Sequence, residues 1–179
     1  MTNQSLYYTG VGARVTPPAI QKLMTQIAHE LKKKNFILRS GGQFKGADQA
    51  FYDGTRPQQR QIFYPRHWVT YSKGLPTIDK AYEIAERHHP HWRELSPEVK
   101  NLMARNVHAV LGPNLDNPSD FLICWTKDGC FKKEMRTKET GGTGHTISVA
   151  DEAGVPIFNL KNEQHYEYVM YQLIKPSNF

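Results

Sequence analysis

The chain has 179 residues, 39% of them hydrophobic and 11% aromatic, which is about the size of one domain with enough apolar material for a core. Its 23 Lys and Arg against 17 Asp and Glu give a net charge of +6, which favours an anionic partner such as a nucleotide or nucleic acid. It has neither a run of about 18 apolar residues nor the layout of a secretory signal. We therefore expect a single domain over 1–179 that is cytoplasmic and does not contact a membrane.

Short apolar runs alternate with amphipathic segments along the chain, the pattern of a sheet with crossover helices. Strands are predicted at 6–11, 36–38, 61–64, 121–125 and 156–160. Helices are predicted at 17–34, 46–52, 78–88, 97–111, 146–153 and 163–174, with Thr16 capping the first. This order predicts an α/β, Rossmann-like, doubly wound fold with a mainly parallel sheet and helices on both faces, in which a strand order of 3-2-1-4-5 would put the end of the fourth strand beside the first. An irregular insertion at about 65–97 is a candidate lid.

Three glycine-bearing segments fall where a predicted strand or loop passes into a helix. They are Gly10-Val11-Gly12-Ala13-Arg14, Ser40-Gly41-Gly42 and Gly141-Gly142-Thr143-Gly144. In a doubly wound sheet these places share one edge, at the carboxyl ends of the strands. Glycine lets the backbone approach a ligand, and free amides at a helix N-terminus bind phosphate oxygens. The segments predict an anion site, although any one glycine could serve only a tight turn.

Several side chains near these segments are candidate ligand contacts. Arg14 directly follows the first turn and can hold a phosphate through two parallel hydrogen bonds. Arg105 and Asn106, on a predicted helix, either reach the same cleft or brace local backbone. Trp125 and Thr126 follow the fourth strand, where the indole could stack on a base or pack in the core. The basic segment 127–138 carries a net charge of +3 and is either a closing loop or a solvated one.

Metal and cofactor motifs are missing from the sequence. Cys124 and Cys130 lie six positions apart without a CxxC spacing, which indicates neither a disulfide framework nor a zinc site. The clustered His88, His89 and His91 match no metal-ligand spacing such as HExxH. Neither GxGxxG nor GxxxxGK[ST] occurs, which argues against an ordinary nicotinamide dehydrogenase or a P-loop kinase. We expect no metal and no cofactor.

The glycine segments and their neighbours resemble the SLOG superfamily. That superfamily joins the Rossmann-like domain of DNA-processing protein A to the LOG-type cytokinin-activating phosphoribohydrolases. The matching words are Gly10-Val11-Gly12-Ala13-Arg14, Arg39-Ser40-Gly41-Gly42 with Gly46-Ala47-Asp48, and Gly141-Gly142-Thr143-Gly144 with Ala153-Gly154-Val155-Pro156-Ile157. The resemblance covers about 6–160 and is strongest to compact single-domain members of phages and bacteria, which share Ala104-Arg105-Asn106 and Ile123-Cys124-Trp125-Thr126.

The resemblance implies that the strand-end glycines hold a nucleotide, a nucleotide-derived signal or a nucleic-acid phosphate. Three functions follow from it. The first is binding of a nucleotide-like small molecule, which in a phage protein would sequester a signalling nucleotide. The second is N-glycosidic hydrolysis of nucleoside monophosphates, and the third is binding of single-stranded DNA. Relatives of this kind often form dimers, so the resemblance also implies a homo-oligomer.

One departure from the family pattern bears on catalysis. LOG-type hydrolases are similar to one another in a PGGxGTxxE word whose glutamate is catalytic, whereas this chain has Ser148 close to that position. Cleaving an N-glycosidic bond needs a carboxylate near the sugar, to support developing positive charge or to position water. Substitutes could come from Asp48, Asp53 or Glu139, each of which could equally be an ordinary helix or loop carboxylate. Whether the protein is an enzyme stays open at this point.

Overall fold

Strands and helices alternate through the computed structural model, which describes residues 5–71 and 75–175. The strands are β1 (Leu6–Gly10), β2 (Phe36–Ser40), β3 (Arg60–Ile62), β4 (Phe121–Cys124) and β5 (Ile157–Asn159). The helices are α1 (Pro18–Lys33), α2 (Ala47–Asp53), α3 (Asp79–Arg87), α4 (Pro97–Leu111), α5 (Thr143–Glu152) and α6 (Glu163–Tyr168), which continues as a π-helical segment, Val169–Ile174. No helix among these residues is both long and apolar enough to cross a membrane.

The five strands form one sheet in the order β3-β2-β1-β4-β5. All four strand pairs are parallel, with Tyr8 of β1 opposite both Leu38 and Phe121. This confirms the predicted α/β, Rossmann-like, doubly wound fold, and the observed order puts β4 beside β1. The direction of winding reverses between β1 and β4, and the crevice at such a reversal is where open α/β sheets hold their ligands.

Helices cover both faces of the sheet because the side chains of each strand alternate between two cores. Phe121 and Ile123 of β4 belong to the core under α1, α2 and the π-helical segment. Leu122 and Cys124 face the other way, into the core under α3, α4 and α5. Burying one side chain of the size of Leu122 stabilises the fold by about 1.5–3 kcal/mol. Each strand is therefore packed on both faces of the sheet, which holds in place the strand ends that carry the glycine turns.

Two local predictions need correction. The Thr16 hydroxyl donates to the Ala13 carbonyl at 2.6 Å and leaves Pro17 at the start of α1 without a side-chain cap, because the turn before the helix takes the hydroxyl. Helix α5 begins at Thr143, three residues before the predicted 146. Its first turn is buried against the second core, and such packing overrides the low helix propensity of Gly144.

The segment predicted as an irregular insertion contributes to the body of the fold. Its helix α3 packs against α4, and Ala81 and Ala85 lie in the second core. Short 3₁₀ turns at Arg66–Tyr71 and Trp92–Glu94 flank that helix. Residues 72–74 of the segment lie outside the described part. Helix α3 is therefore part of the body of the fold, which disfavours a lid made of the whole segment.

Candidate functional site

A cleft of about 290 Å³ opens at the carboxyl edge of the sheet, where the winding reverses between β1 and β4. Four parts of the chain form it: the turn after β1, the loop and helix after β2, the middle of α4, and the first turns of α5. The lining residues are Val11, Gly12, Ala13, Arg14, Gln43, Asp48, Val99, Leu102, Met103, Arg105, Asn106, Gly142, Thr143 and Thr146. The predicted residues Gly12, Arg14, Asp48, Arg105, Asn106, Gly142 and Thr143 thus meet in one place.

The glycines after β1 are required by close packing inside the protein. A Cβ at Gly12 would lie 2.7 Å from the Ala47 Cβ and 3.1 Å from the Trp125 carbonyl oxygen. A Cβ at Gly10 would lie 2.7 Å from the Phe51 ring, so this glycine makes room for α2 and not for a ligand. Gly12 lines the cleft and Gly10 does not.

The glycine turn after β2 is also internal. The Ser40 hydroxyl donates to the Gly10 carbonyl at 2.7 Å and joins the two turns. The Gly41 carbonyl accepts a hydrogen bond from the Arg105 guanidinium, and a Cβ at Gly41 would overlap that side chain. Gly42 has φ +68°, and a Cβ there would lie 2.5 Å from the Tyr64 ring. Ser40, Gly41 and Gly42 support the cleft without lining it.

Asp48 supplies a buried carboxylate at the cleft. Only 6% of the residue is exposed, and the Gln43 amide donates to its Oδ2 at 3.4 Å. Burial raises the pKa of Asp48, while the Arg105 charge and the nearby amides of Gly12 and Gly41 oppose that rise. A carboxyl with a raised pKa in a cleft is the kind of group that accepts or donates protons in catalysis.

Arg105 has a structural role as well as a place in the cleft. Its guanidinium donates to the Gly41 carbonyl, and its Nε donates to the Leu102 carbonyl at 3.4 Å. Burial lowers the pKa of Arg105, and the charge of Asp48 partly offsets this. The side chain therefore ties α4 to the turn after β2 and sets a positive charge opposite Asp48. Asn106 lies beside it, half-buried and lining the cleft.

The other side of the cleft is open. Gly142 precedes α5 with φ −61° and ψ −26°, a conformation open to any residue. Apart from its chain neighbours, no atom of residues 5–71 and 75–175 lies within 4 Å of the Cβ that it lacks. Thr143 and Thr146 of α5 line the cleft next to it. Gly144 is turned inward instead, since a Cβ there would lie 3.0 Å from the Arg136 Nε. Gly141, with φ +62°, also faces open space but lies outside the lining.

Arg14 lies at the rim of the cleft with an exposed side chain. Within 5–71 and 75–175, no carboxylate lies within 4.0 Å of its guanidinium. A Cβ at Gly46 would lie 2.6 Å from the Arg14 Cα, so the loop after β2 presses directly on this turn. Packing therefore holds the backbone of Arg14 in place, while its side chain is exposed and can contact an anion in the cleft.

Trp125 and Thr126 lie outside the cleft. Trp125 is packed into the first core with 7% of its surface exposed, and its carbonyl accepts from the Ala13 amide at 3.3 Å. The Thr126 hydroxyl accepts from the Asn159 side chain at 2.7 Å and from the Cys130 amide at 3.1 Å. Both residues hold the strand ends in place, and the indole face is taken by the core.

The remaining carboxylate candidates lie away from the cleft. Asp53 ends α2, where it accepts from Gln49 at 2.7 Å and lines a separate shallow groove. Glu139 is exposed and forms an ion pair with Lys127 at 2.9 Å. Ser148, close to where LOG-type hydrolases have their glutamate, is buried and accepts from Arg136 at 2.8 Å. Among the candidate carboxylates Asp48, Asp53 and Glu139, Asp48 is the one that lines the cleft.

The basic segment 127–138 is anchored along its length. The Asp128 carboxylate accepts from the Thr137 hydroxyl at 2.7 Å and from the Cys130 amide at 3.2 Å, and hydrogen bonds of this kind lower the pKa of Asp128 to about 2. The Lys133 amide donates to Asp151 at 2.8 Å. These contacts hold the segment against the body of the fold, which disfavours a closing loop.

The sequence reasoning missed part of the cleft wall. Gln43 follows the second glycine turn directly, and Val99, Leu102 and Met103 precede Asn106 on α4. The signal was present, since positions 99, 102, 103 and 106 recur at helical spacing and so share one face of the helix. Because Asn106 was a candidate ligand contact, the apolar residues on the same face of α4 could have been predicted to line the cleft as well.

The cleft combines one exposed cation, Arg14, with a buried carboxylate, Asp48, near the buried Arg105 guanidinium, and the start of α5 beside an apolar wall. Among the described residues, no three His, Cys, Asp or Glu side chains are grouped so that they could hold a metal ion. No protein-family model matches the chain, and no curated protein or solved structure is similar enough to count as a match.

Proposed function

We propose that the cleft binds a phosphorylated, nucleotide-like small molecule, as the resemblance to the SLOG superfamily implies. The observation that carries this proposal is the convergence of exposed Arg14, the open start of α5 and the buried Asp48 on one cleft at the winding reversal. Ligands of doubly wound sheets bind at such a crevice. The net charge of +6 adds a general attraction for anions.

The phosphate belongs between Arg14 and the first turn of α5. The N-terminus of this ten-residue helix is the positive end of its dipole, about half an elementary charge. The Gly144 and His145 amides already donate to the Gly141 and Gly142 carbonyls at 3.1 and 3.2 Å, so the amides of Gly142 and Thr143 are the ones that would receive a phosphate oxygen. The missing side chain at Gly142 allows a phosphate oxygen to approach them. Each hydrogen bond to the charged group contributes about 1.5–3 kcal/mol. The two cationic elements come from different parts of the chain, the turn after β1 and the start of α5, and both line the cleft.

The sugar belongs deeper in the cleft. Gln43 and Asn106 offer donors and acceptors for hydroxyl groups. Leu102 and Met103 provide an apolar surface for the carbon face of a ring. The Asp48 carboxylate can accept from a hydroxyl at the base of the cleft. A ligand with a phosphate at one end and a polyhydroxyl ring next to it matches this arrangement.

The direct test is a nucleotide panel in which binding is measured by calorimetry and the ligand is recovered for mass spectrometry. Arg14→Ala should weaken binding at least tenfold, about 1.4 kcal/mol, because a charge-assisted contact is lost. Arg56→Ala removes an equally exposed arginine outside the cleft and should have no effect. Equal affinity for Arg14→Ala and the wild type would remove Arg14 from the site. If the protein binds single-stranded oligonucleotides more tightly than any nucleotide, with a steep log-linear salt dependence, DNA becomes the ligand class.

The position of Asp48 favours hydrolysis of an N-glycosidic bond as a second candidate function. In this reaction the bond between the sugar and the base nitrogen breaks, water adds to the sugar carbon, and the base leaves with a proton. A carboxylate beside the sugar stabilises the developing positive charge or orients the water. Asp48→Asn should then retain binding and lose release of free base. Recovery of intact nucleotide from the wild-type protein after long incubation would exclude hydrolysis and leave binding as the function of the cleft.

A further inference from the structure

An exposed aromatic pair lies next to the cleft. Phe44 leaves 76% of its surface in water, although it stacks on Trp68 with ring centroids 6.2 Å apart and ring planes inclined by 21°. A phenylalanine exposed to this extent loses the stabilisation that burial would give it. One face of the pair is therefore available for a flat apolar group.

The chain connects this pair closely to the cleft. Phe44 lies between Gln43, which lines the cleft, and Gly46, which presses on the Ala13–Arg14 turn. Trp68 follows β3, the strand that pairs with β2. Both rings thus come from loops at the carboxyl edge of the sheet, on the side of β2. The neighbouring Lys45 is exposed and adds positive charge there.

Trp68 is held in position from the α4 side. His67 meets its ring edge-on at 5.7 Å, and a hydrogen bond of 3.1 Å joins the His67 Nδ1 to the Asn101 side chain. Asn101 lies on α4, directly before Leu102 and Met103 of the cleft wall. The orientation of the pair relative to the cleft is therefore set before any ligand binds, which lowers the entropic cost of stacking.

The size of the cleft indicates what the pair could bind. At about 290 Å³ the cleft is at the small end of small-molecule sites, which run from about 300 to 1,000 Å³. A phosphate and a sugar occupy most of such a volume, so a base attached to that sugar extends to the rim. We propose that the Phe44–Trp68 pair is the stacking surface for the nucleobase of the ligand. This inference rests on the proposed function and extends it to a ligand that carries an intact base.

The test compares two probes that differ only in the base: adenosine 5′-monophosphate and ribose 5-phosphate. Binding of each is measured by calorimetry for the wild type, Phe44→Ala, Arg14→Ala and Tyr171→Ala. Tyr171 is an exposed aromatic residue, 58% accessible, near the other end of the chain, and serves as the control. Melting temperatures are recorded for each variant, and Phe44→Ala should match the wild type because its ring is mostly in water.

Phe44→Ala should weaken binding of the monophosphate about fivefold or more, since stacking on an aromatic side chain contributes at least that factor, and leave ribose 5-phosphate unchanged. Arg14→Ala should weaken both probes. Unchanged monophosphate affinity in Phe44→Ala, with loss in Arg14→Ala, overturns the stacking surface and leaves the proposed function standing. Equal weakening of both probes by Phe44→Ala also overturns it. If neither probe binds the wild type, both proposals fail. Tighter, Phe44-dependent binding of oligothymidylate would assign the pair to single-stranded nucleic acid instead.

Discussion

Two groups of glycines lie at the same edge of the sheet, and they are glycines for different reasons. Gly12 and Gly41 have neighbours where a Cβ would stand, either the Ala47 side chain or the Arg105 guanidinium. Gly142 has no atom of the described residues within 4 Å of that position, apart from its chain neighbours, and its conformation is open to any residue. Gly12 and Gly41 are closely packed where they support the floor of the cleft, whereas Gly142 lines the cleft and, like Gly141 outside the lining, faces open space. A glycine-rich word in a sequence therefore marks a tight turn or a binding surface, and the local environment tells them apart.

The largest effect is expected at the floor of the cleft, for Arg105→Met. This change leaves the buried Asp48 without its compensating charge and the Gly41 carbonyl without its donor. Leaving a buried acceptor unsatisfied costs about 1–3 kcal/mol, and loss of the positive charge near Asp48 adds to that cost. Urea unfolding at pH 7 should show that loss, whereas exposed Arg93→Met should show none. A loss below about 0.5 kcal/mol would mean that Arg105 does not stabilise the floor.

The loss caused by Arg105→Met should also depend on pH. Burial already raises the pKa of Asp48, and without the Arg105 charge that pKa rises further. The penalty for the ionised carboxylate is absent below the unfolded pKa of about 3.9 and appears as the pH rises through the folded pKa. Variant and wild type should therefore differ less in stability at pH 4.5 than at pH 7. A difference that does not change with pH would contradict the role of Asp48.

Matched alanine substitutions test the contrast between the two glycine groups. Gly12→Ala places a methyl group 2.7 Å from the Ala47 Cβ and should destabilise the fold by about 2 kcal/mol through overpacking. Gly142→Ala meets no atom and should change stability by less than about 0.5 kcal/mol. Thermal and urea unfolding of the two variants side by side measure the contrast. Equal destabilisation by both would remove the distinction between floor and open surface.

Within the first turn of α5, the buried His145 differs from the exposed Gly142 that precedes the helix. His145 is nearly inaccessible, its Nε2 is hydrogen-bonded to the Ala85 carbonyl at 3.0 Å, and burial lowers the pKa of His145 to about 3. Because the unfolded side chain titrates near 6.5, stability should fall as the pH drops from 6.5 towards 3, by about 2 kcal/mol between pH 7 and pH 5. His145→Gln, which can still donate to Ala85, should show a shallower decline. Identical declines would exclude His145 as the source.

Much of the fold could be predicted from the sequence because the signals are local. Apolar runs bounded by glycine and proline marked all five strands, and helical spacing marked α4 to the residue. For Trp125 the sequence allows either stacking on a base or packing in the core, and the alternation along β4 that buries Ile123 in the first core also places Trp125 there. By contrast, the stack of Phe44 on Trp68 joins two loops after different strands. No local pattern encodes such a contact, because it depends on how the loops fold over the sheet edge.

The most direct test of the cleft as a phosphate-binding site is Gly142→Val, with unfolding and ligand affinity measured on one preparation. The added side chain projects into space that is empty in the protein and that the bound phosphate would occupy. The account predicts a melting temperature within about 2 °C of the wild type, since a small change in stability shifts it little, together with loss of nucleotide binding. A folded variant with wild-type melting and wild-type affinity would contradict the assignment of the phosphate to the start of α5.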